Sequence, residues 1–147
     1  MKDKNEELQI QVLNWIEIAE EDLILAKHAF TIKSNIPYRL IGYHAQQCAE
    51  KYLKAYLVSK LIDFPYTHNI EVLITLCNNI VNLKDDLKDT VKLSRYAIAK
   101  RYPGEYQSIN RREAKEAVVL AELTKNVIGK LLEKDGFHIS KIPRNPE

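Results

Sequence analysis

The chain has 147 residues and a formal net charge of +2 at pH 7; 46% of its residues are hydrophobic and 29% are charged. This length and composition predict one globular domain with its own core, and four glycines with five prolines are too few for a fold of many strands and tight turns. The net charge alone does not indicate a polyanion partner, and no apolar run reaches the roughly 18 residues of a membrane span.

Hydrophobic periodicity indicates five helices, three long and two short. They cover approximately residues 5–31, 37–61, 68–80, 85–97 and 110–134. The short link before Pro37 joins two long helices of similar length, which favours an antiparallel hairpin. No alternating apolar and polar run of useful length occurs. The sequence therefore predicts an all-α, up-and-down bundle in one domain of residues 1–137, followed by a C-terminal tail over residues 138–147.

Capping residues mark where two of these helices begin and where one ends. Thr67 is the expected N-cap of the third helix because its hydroxyl can accept from an early backbone N–H. Asn110 and Glu113 have the spacing of a capping box at the start of the last helix. Gly136 suits the left-handed position that follows a helix.

The second helix carries two different stripes of side chains. The first stripe is apolar and consists of Ala45, Cys48, Tyr52 and Ala55. The second stripe is entirely polar and consists of His44, Gln47, Lys51 and Lys54. Packing requires an apolar stripe, but it does not require this row of imidazole, amide and ammonium groups.

His44 is the strongest single candidate for a binding residue. Gln47 and Lys51 can hydrogen-bond and neutralise a phosphate or contact a base edge, and Lys54 extends their stripe. The alternative is a partly buried histidine whose ring is satisfied within the bundle. His68, just after the expected cap, either faces an anion at the helix start or closes the turn, and the structural role is favoured.

A basic segment precedes the last helix. Residues 92–115 contain seven basic and two acidic side chains, a net charge of +5, so the rest of the chain carries −3. Within it, Arg101 offers planar two-pronged contacts to phosphate, and Tyr102 offers a ring that can stack on a base. The alternative interpretation is a solvated basic surface whose tyrosine covers an apolar edge.

Several kinds of site have no support in the sequence. The chain lacks a phosphate-binding glycine loop, a nucleophile elbow and the zinc-protease motif. Cys48 and Cys77 lie in helical apolar patterns and have no metal-binding spacing. Carboxylates, Asp22 among them, are expected on solvated outer faces, so we expect no metal and no other cofactor. The N-terminus lacks a signal-peptide core, and a cytoplasmic location is expected.

Three blocks of the sequence together resemble the HEPN domain (higher eukaryotes and prokaryotes nucleotide-binding). They are His44-Ala-Gln-Gln-Cys-Ala-Glu-Lys-Tyr-Leu-Lys-Ala55, Pro65-Tyr-Thr-His-Asn-Ile70 and Arg101-Tyr-Pro103. Their order and spacing fit, and the resemblance covers about residues 15–134. It implies a four-helix up-and-down bundle with an additional short helix, which is usually dimeric.

The resemblance also implies a choice of functions. Many members work with a minimal nucleotidyltransferase as a two-component or toxin–antitoxin pair. Others are metal-independent endoribonucleases that use an Arg-x(4–6)-His motif in the later part of the domain. Counting from Arg101 requires a histidine at residues 106–108, and none is present. Arg39 and His44 have the required spacing but lie in the wrong helix.

Three hypotheses follow. The first is a non-catalytic, homodimeric module that binds a nucleotide or an RNA phosphate and engages a nucleotidyltransferase. Its candidate contacts are His44, Gln47, Lys51, Lys54, His68, Arg101 and Tyr102. The second is a ribonuclease in which Arg101 holds the scissile phosphate and His44 or Tyr106 moves the proton. The third is a purely structural interaction domain. The first two hypotheses require the polar stripe of the second helix and the segment around Arg101 to line the same cavity.

Overall fold

The computed structural model describes residues 4–83, 85–97 and 108–139. Within these ranges the chain forms four α-helices, two 3₁₀ helices and no strand. The α-helices are α1 (Lys4–His28), α2 (Tyr38–Ser59), α3 (Ile70–Cys77) and α4 (Arg111–Lys134), and the 3₁₀ helices are Ala29–Thr31 and Lys88–Tyr96. The second of these is called the long 3₁₀ helix below.

Contacts between the helices establish an up-and-down order. Asp22, near the end of α1, contacts His44 near the start of α2, so these two helices are antiparallel as predicted. Thr90, at the start of the long 3₁₀ helix, lies 3.3 Å from Thr124 in the second half of α4. Helices α1 and α2, the long 3₁₀ helix and α4 therefore form the four-helix bundle. Helix α3 is the additional short helix, and the predicted all-α fold class is confirmed.

The prediction of an α-helix over residues 85–97 is wrong in helix type. Leu87, Thr90, Leu93 and Tyr96 follow one another at intervals of three residues, and all four are buried. A 3₁₀ helix has three residues per turn, so it places such a set on one face. An α-helix would rotate each successive member by about 60°, and the last would face away from the core. Core burial therefore favours the tighter helix here.

Helix α3 begins later than predicted, and Thr67 does not cap it. The N-cap is Asn69, whose side chain accepts from the Glu71 backbone N–H at 2.9 Å. Thr67 instead accepts from the Asn69 backbone N–H at 3.0 Å and closes the turn before the helix. His68 consequently lies in the loop, where its ring and carbonyl both reach α2.

The two predicted ends of α4 are confirmed. Asn110 accepts from the Glu113 backbone N–H at 2.8 Å, and the Glu113 carboxylate accepts from the Asn110 backbone N–H at 3.3 Å, which completes the capping box. Gly136 follows the helix with a φ of 94°. Beyond it, Phe137 is buried and Ile139 packs on the core, whereas the rest of the predicted tail lies outside the described residues.

Gly42 is the point where α2 meets the long 3₁₀ helix and the start of α4. A Cβ at this position would lie 3.1 Å from the Tyr96 ring and 3.5 Å from Ile109 Cδ1, whereas a Cβ at Gly129 in α4 would meet nothing within 4 Å. We expect Gly129→Ala to raise the free energy of unfolding by about 0.5–1 kcal/mol. Gly42→Ala is expected to lack this gain, because the ring must move. Urea denaturation measures both; equal stabilisation would contradict the packing at Gly42.

The apolar stripe of α2 lies in the core, as predicted, and it includes one of the two cysteines. Burial raises the pKa of the Cys48 thiol, and it raises the pKa of Cys77 to about 12. Both groups therefore remain protonated and shielded at pH 8. We expect Ellman's reagent to modify no thiol of the native protein at pH 8 and both thiols in guanidinium chloride. Rapid reaction of a native thiol would contradict this placement.

Candidate functional site

Asp22 of α1 holds two polar side chains of α2. Its Oδ1 lies 2.8 Å from His44 Nδ1, and its Oδ2 accepts a hydrogen bond from the Lys51 ammonium at 2.5 Å. Asp22 is only 9% exposed, and the Tyr43 ring lies beside the imidazole, tilted by 59°, with the two ring centroids 5.2 Å apart. A carboxylate at Nδ1 fixes the orientation of a histidine and leaves Nε2 for another partner.

Glu50 is the centre of a second cluster, between α2 and the loop before α3. Gln46 Nε2 donates to Glu50 Oε1 and to the His68 carbonyl, both at 3.1 Å. His68 Nδ1 lies 2.8 Å from the same Oε1, and the Lys54 ammonium donates to Oε2 at 3.2 Å. Glu50 is 3% exposed. Glu50, Gln46 and Lys54 therefore meet where water is nearly excluded, and His68 joins them from the solvent side.

Gln47 lies on α2 between the two clusters and is bonded to the second. Its Nε2 donates to Gln46 Oε1 at 2.7 Å, and its place on α2 lies between His44 and Lys51. The two clusters and Gln47 are together named the α2 polar network. Its members are Asp22, His44, Gln46, Gln47, Glu50, Lys51, Lys54 and His68.

Two aromatic rings cover one end of this network. The Lys54 ammonium lies 5.7 Å from the centroid of the Trp15 ring and 5.6 Å from that of Phe64. The two rings meet edge to face with their centroids 6.2 Å apart. Lys54 is therefore held by a carboxylate and two rings, and its predicted role as an exposed phosphate contact requires those rings to move.

The sequence interpretation missed three members of the network. Asp22 was expected on a solvated outer face, and that expectation is wrong, because it lies on the buried side of α1. Its position offered a signal: it stands three residues after Ala19 and four before Ala26, so it belongs to the same helical stripe as the core. The same signal could have predicted the burial of Glu50 and Gln46, since both neighbour the apolar stripe of α2.

The formal charges of the network balance when both imidazoles are neutral. Asp22 matches Lys51, and Glu50 matches Lys54. The network therefore offers orientated donors more than net positive charge, so a phosphate ligand also needs cations from a neighbouring segment.

Arg101 and Tyr102 lie outside the described residues, but the residues on both sides of their segment are described. Tyr96, just before it, and Ile109, just after it, both pack at Gly42 of α2. Gln46 follows Gly42 by one helical turn, or about 6 Å along the axis. The described flanks of the basic segment therefore meet α2 one turn before Gln46, at the end of the helix where the α2 polar network begins.

The described part of the basic segment is only partly neutralised. Arg95 donates to Glu113 at 3.0 Å, and Lys92 lies 3.6 Å from Asp89. Arg111, the first residue of α4, has no carboxylate partner within the described ranges; its guanidinium lies over the Phe30 ring.

Other parts of the described chain add no further site. A cleft of about 540 Å³ lies at the opposite end of the bundle, where Lys60 pairs with Asp135, and no predicted site residue lines it. Histidine, cysteine and carboxylate groups do not gather in threes suited to a metal ion in the described ranges. Among the helices described, none has the length and apolar character of a membrane span.

Comparisons with known proteins agree with this fold. A family model described as the HEPN domain matches residues 12–131. The crystal structure of an archaeal HEPN homologue is similar to this chain, with 28% sequence identity and a TM-score of 0.63; the match covers 82% of this chain and 97% of that one. No curated protein matches the chain.

Proposed function

Because the chain belongs to the HEPN domain family, we propose that it is a non-catalytic module that binds a nucleotide or an RNA phosphate. In this proposal it acts as a homodimer beside a minimal nucleotidyltransferase, as a two-component or toxin–antitoxin pair. The contacts proposed are His44, Gln47, Lys51, Lys54, His68, Arg101 and Tyr102.

The observation that carries the proposal is the position of the basic segment's two flanks. Tyr96 and Ile109 converge on Gly42, one turn before Gln46 of the α2 polar network. This supports placing the charge of Arg101 near Gln46, at the end of α2 that also carries His44. Phosphate recognition combines such cations with hydrogen-bond donors that fix its orientation.

Asp22 gives the proposed contacts a defined geometry. It holds the His44 ring and the Lys51 ammonium side by side, with His44 side-chain exposure of 24% and Lys51 exposure of 18%. Neither group has to be ordered when a ligand arrives, which reduces the entropic cost of binding. A phosphate would accept from His44 Nε2 and share the Lys51 ammonium with Asp22.

Exposed apolar side chains support the proposed association with other subunits. On α1 and α4, Ile24, Leu25 and Val119 are each more than half exposed. Contiguous exposed apolar patches mark protein contacts, and in this proposal these side chains belong to such a patch. The purely structural interaction domain would use the same surfaces but bind no nucleotide.

Calorimetric titration tests the binding proposal. AMP and ATP are each titrated into the protein, alone and with the neighbouring nucleotidyltransferase if the gene is present. We expect binding by the wild type and weaker binding by His44→Ala, while Lys130→Ala at an exposed site on α4 serves as the control. No binding in either condition would contradict the proposal and leave the structural interaction domain.

The His44–Asp22 pair favours a second candidate, a metal-independent ribonuclease. An imidazole held by a carboxylate can take a proton from a ribose 2′-hydroxyl, and Arg101 would hold the scissile phosphate. Incubation of RNA with chelator tests it, comparing wild type, His44→Ala and Arg101→Ala. Cleavage lost in both variants supports this candidate, and equal cleavage by all three indicates a contaminating nuclease.

A further inference from the structure

An arginine and two aromatic rings meet at the end of the bundle where α2 and α4 begin. The Arg111 guanidinium carbon lies 5.4 Å from the centroid of the Phe30 ring. The Phe30 and Tyr38 rings lie 6.4 Å apart and tilted by 45°, and the Tyr38 hydroxyl is 3.5 Å from Arg111 Nη1. These three residues are named the Phe30 cluster. None of them is among the contacts proposed above.

The Phe30 cluster presents a planar cation to solvent. Arg111 is exposed, whereas Phe30 and Tyr38 are half-buried and pack against the core. The Phe30 ring lies against the guanidinium, and Arg111 remains exposed to solvent. Both rings are anchored, so a ligand that stacks on this arginine meets a surface that is already ordered.

Three cations of this region, Arg111, Lys33 and Lys115, have no carboxylate partner in the described part of the chain. Lys33 lies in the link between Phe30 and Tyr38, and Lys115 lies one turn after Arg111 on the same side of α4; neither forms an ion pair within the described ranges. By comparison, seven lysines and arginines elsewhere are paired with a carboxylate. They are Lys27, Lys51, Lys54, Lys60, Lys92, Arg95 and Lys125.

We propose that the Phe30 cluster is a stacking site for a base of single-stranded RNA, whose phosphates are contacted by Lys33 and Lys115. This inference rests on the proposed function, because it adds a base-stacking site to the proposed phosphate-binding site, so that one RNA strand contacts both. A base has a π face that stacks on aromatic rings and guanidinium planes, and the adjacent backbone needs unpaired cations. In a duplex the bases are already stacked on one another, so a duplex gains nothing from the cluster.

A short RNA strand serves as the probe that tests this proposal. Fluorescence anisotropy is measured with a labelled 12-nucleotide single-stranded RNA and with a duplex of the same length, using wild type, Arg111→Lys and Lys130→Ala. Arg111→Lys keeps the positive charge at an exposed position but removes the planar guanidinium group. We expect it to weaken single-strand binding roughly tenfold and leave duplex binding within twofold of wild type. Lys130→Ala removes a distant exposed charge and is expected to leave both unchanged.

Two results overturn the inference without touching the proposed function. One is wild-type affinity of Arg111→Lys for the single strand, which would mean that charge alone is recognised. The other is nucleotide binding by the wild type with no binding of the single strand. Failure of the wild type to bind nucleotide and strand alike would instead overturn the proposed function together with the inference.

Discussion

Replacing Glu50 with alanine is expected to lower the free energy of unfolding by about 3–5 kcal/mol. Glu50 is 3% exposed and accepts hydrogen bonds from Gln46, Lys54 and His68. Its removal leaves the Lys54 ammonium buried without a counter-charge, and the cost of desolvating that charge is no longer compensated. Urea denaturation of the variant measures the change.

A double variant separates the effect of losing the Glu50 carboxylate from the effect of leaving the Lys54 ammonium unpaired. Glu50→Gln combined with Lys54→Met keeps an acceptor for Gln46 and replaces the ammonium with an apolar side chain between two aromatic rings. We expect this pair to recover most of the stability, since a buried ion pair contributes little beyond an apolar replacement. Glu17→Ala, at an exposed position of α1, is the control and should change stability by less than about 0.5 kcal/mol. A loss of that small size in Glu50→Ala would contradict the buried network.

Replacing Lys51 is expected to affect both stability and binding, and a second substitution tells the two effects apart. Lys51→Ala leaves the Asp22 carboxylate with His44 as its remaining described partner, which should cost about 2 kcal/mol. Asp22→Asn combined with Lys51→Met removes both charges and keeps an acceptor for the imidazole. This double variant should be close to wild type in stability.

The same double variant should bind AMP at least tenfold more weakly than wild type, because one charge-assisted hydrogen bond to the phosphate is lost. Calorimetry measures the affinity, and urea denaturation in the same buffer confirms the fold. Undiminished affinity in a variant of normal stability would show that Lys51 serves only to neutralise Asp22. The nucleotide contacts would then have to be sought elsewhere in the chain.

The sequence predicted the elements that depend on periodicity and on short-range capping. The bundle order, the buried stripe of α2 and the capping box at Asn110 follow from patterns within a few residues of one another. The long 3₁₀ helix was mistaken for an α-helix because a three-residue repeat is short and resembles an α-helical one. Four buried positions at three-residue intervals, Leu87 just before this helix and Thr90, Leu93 and Tyr96 within it, distinguish the two.

The candidate site could be predicted only in part, since its partners come from distant positions. The polar stripe containing His44 and Lys51 is visible in one helix, whereas the carboxylate that holds both comes from another. Asp22 is separated from Lys51 by 29 residues, and no single-helix pattern assigns that pairing. The loop position of His68 depended on whether Thr67 or Asn69, the two residues that flank it, caps α3.

The central claim is that a nucleotide phosphate binds beside His44 at the start of the α2 polar network. Nitrogen-15 NMR spectra of the histidine rings, recorded during titration with AMP, test it directly. The account predicts that the Nε2 resonance of His44 shifts with saturation, while the rings of His28 and His138 stay unchanged as internal references. Saturable shifts confined to those two rings, with His44 unaffected, would contradict it.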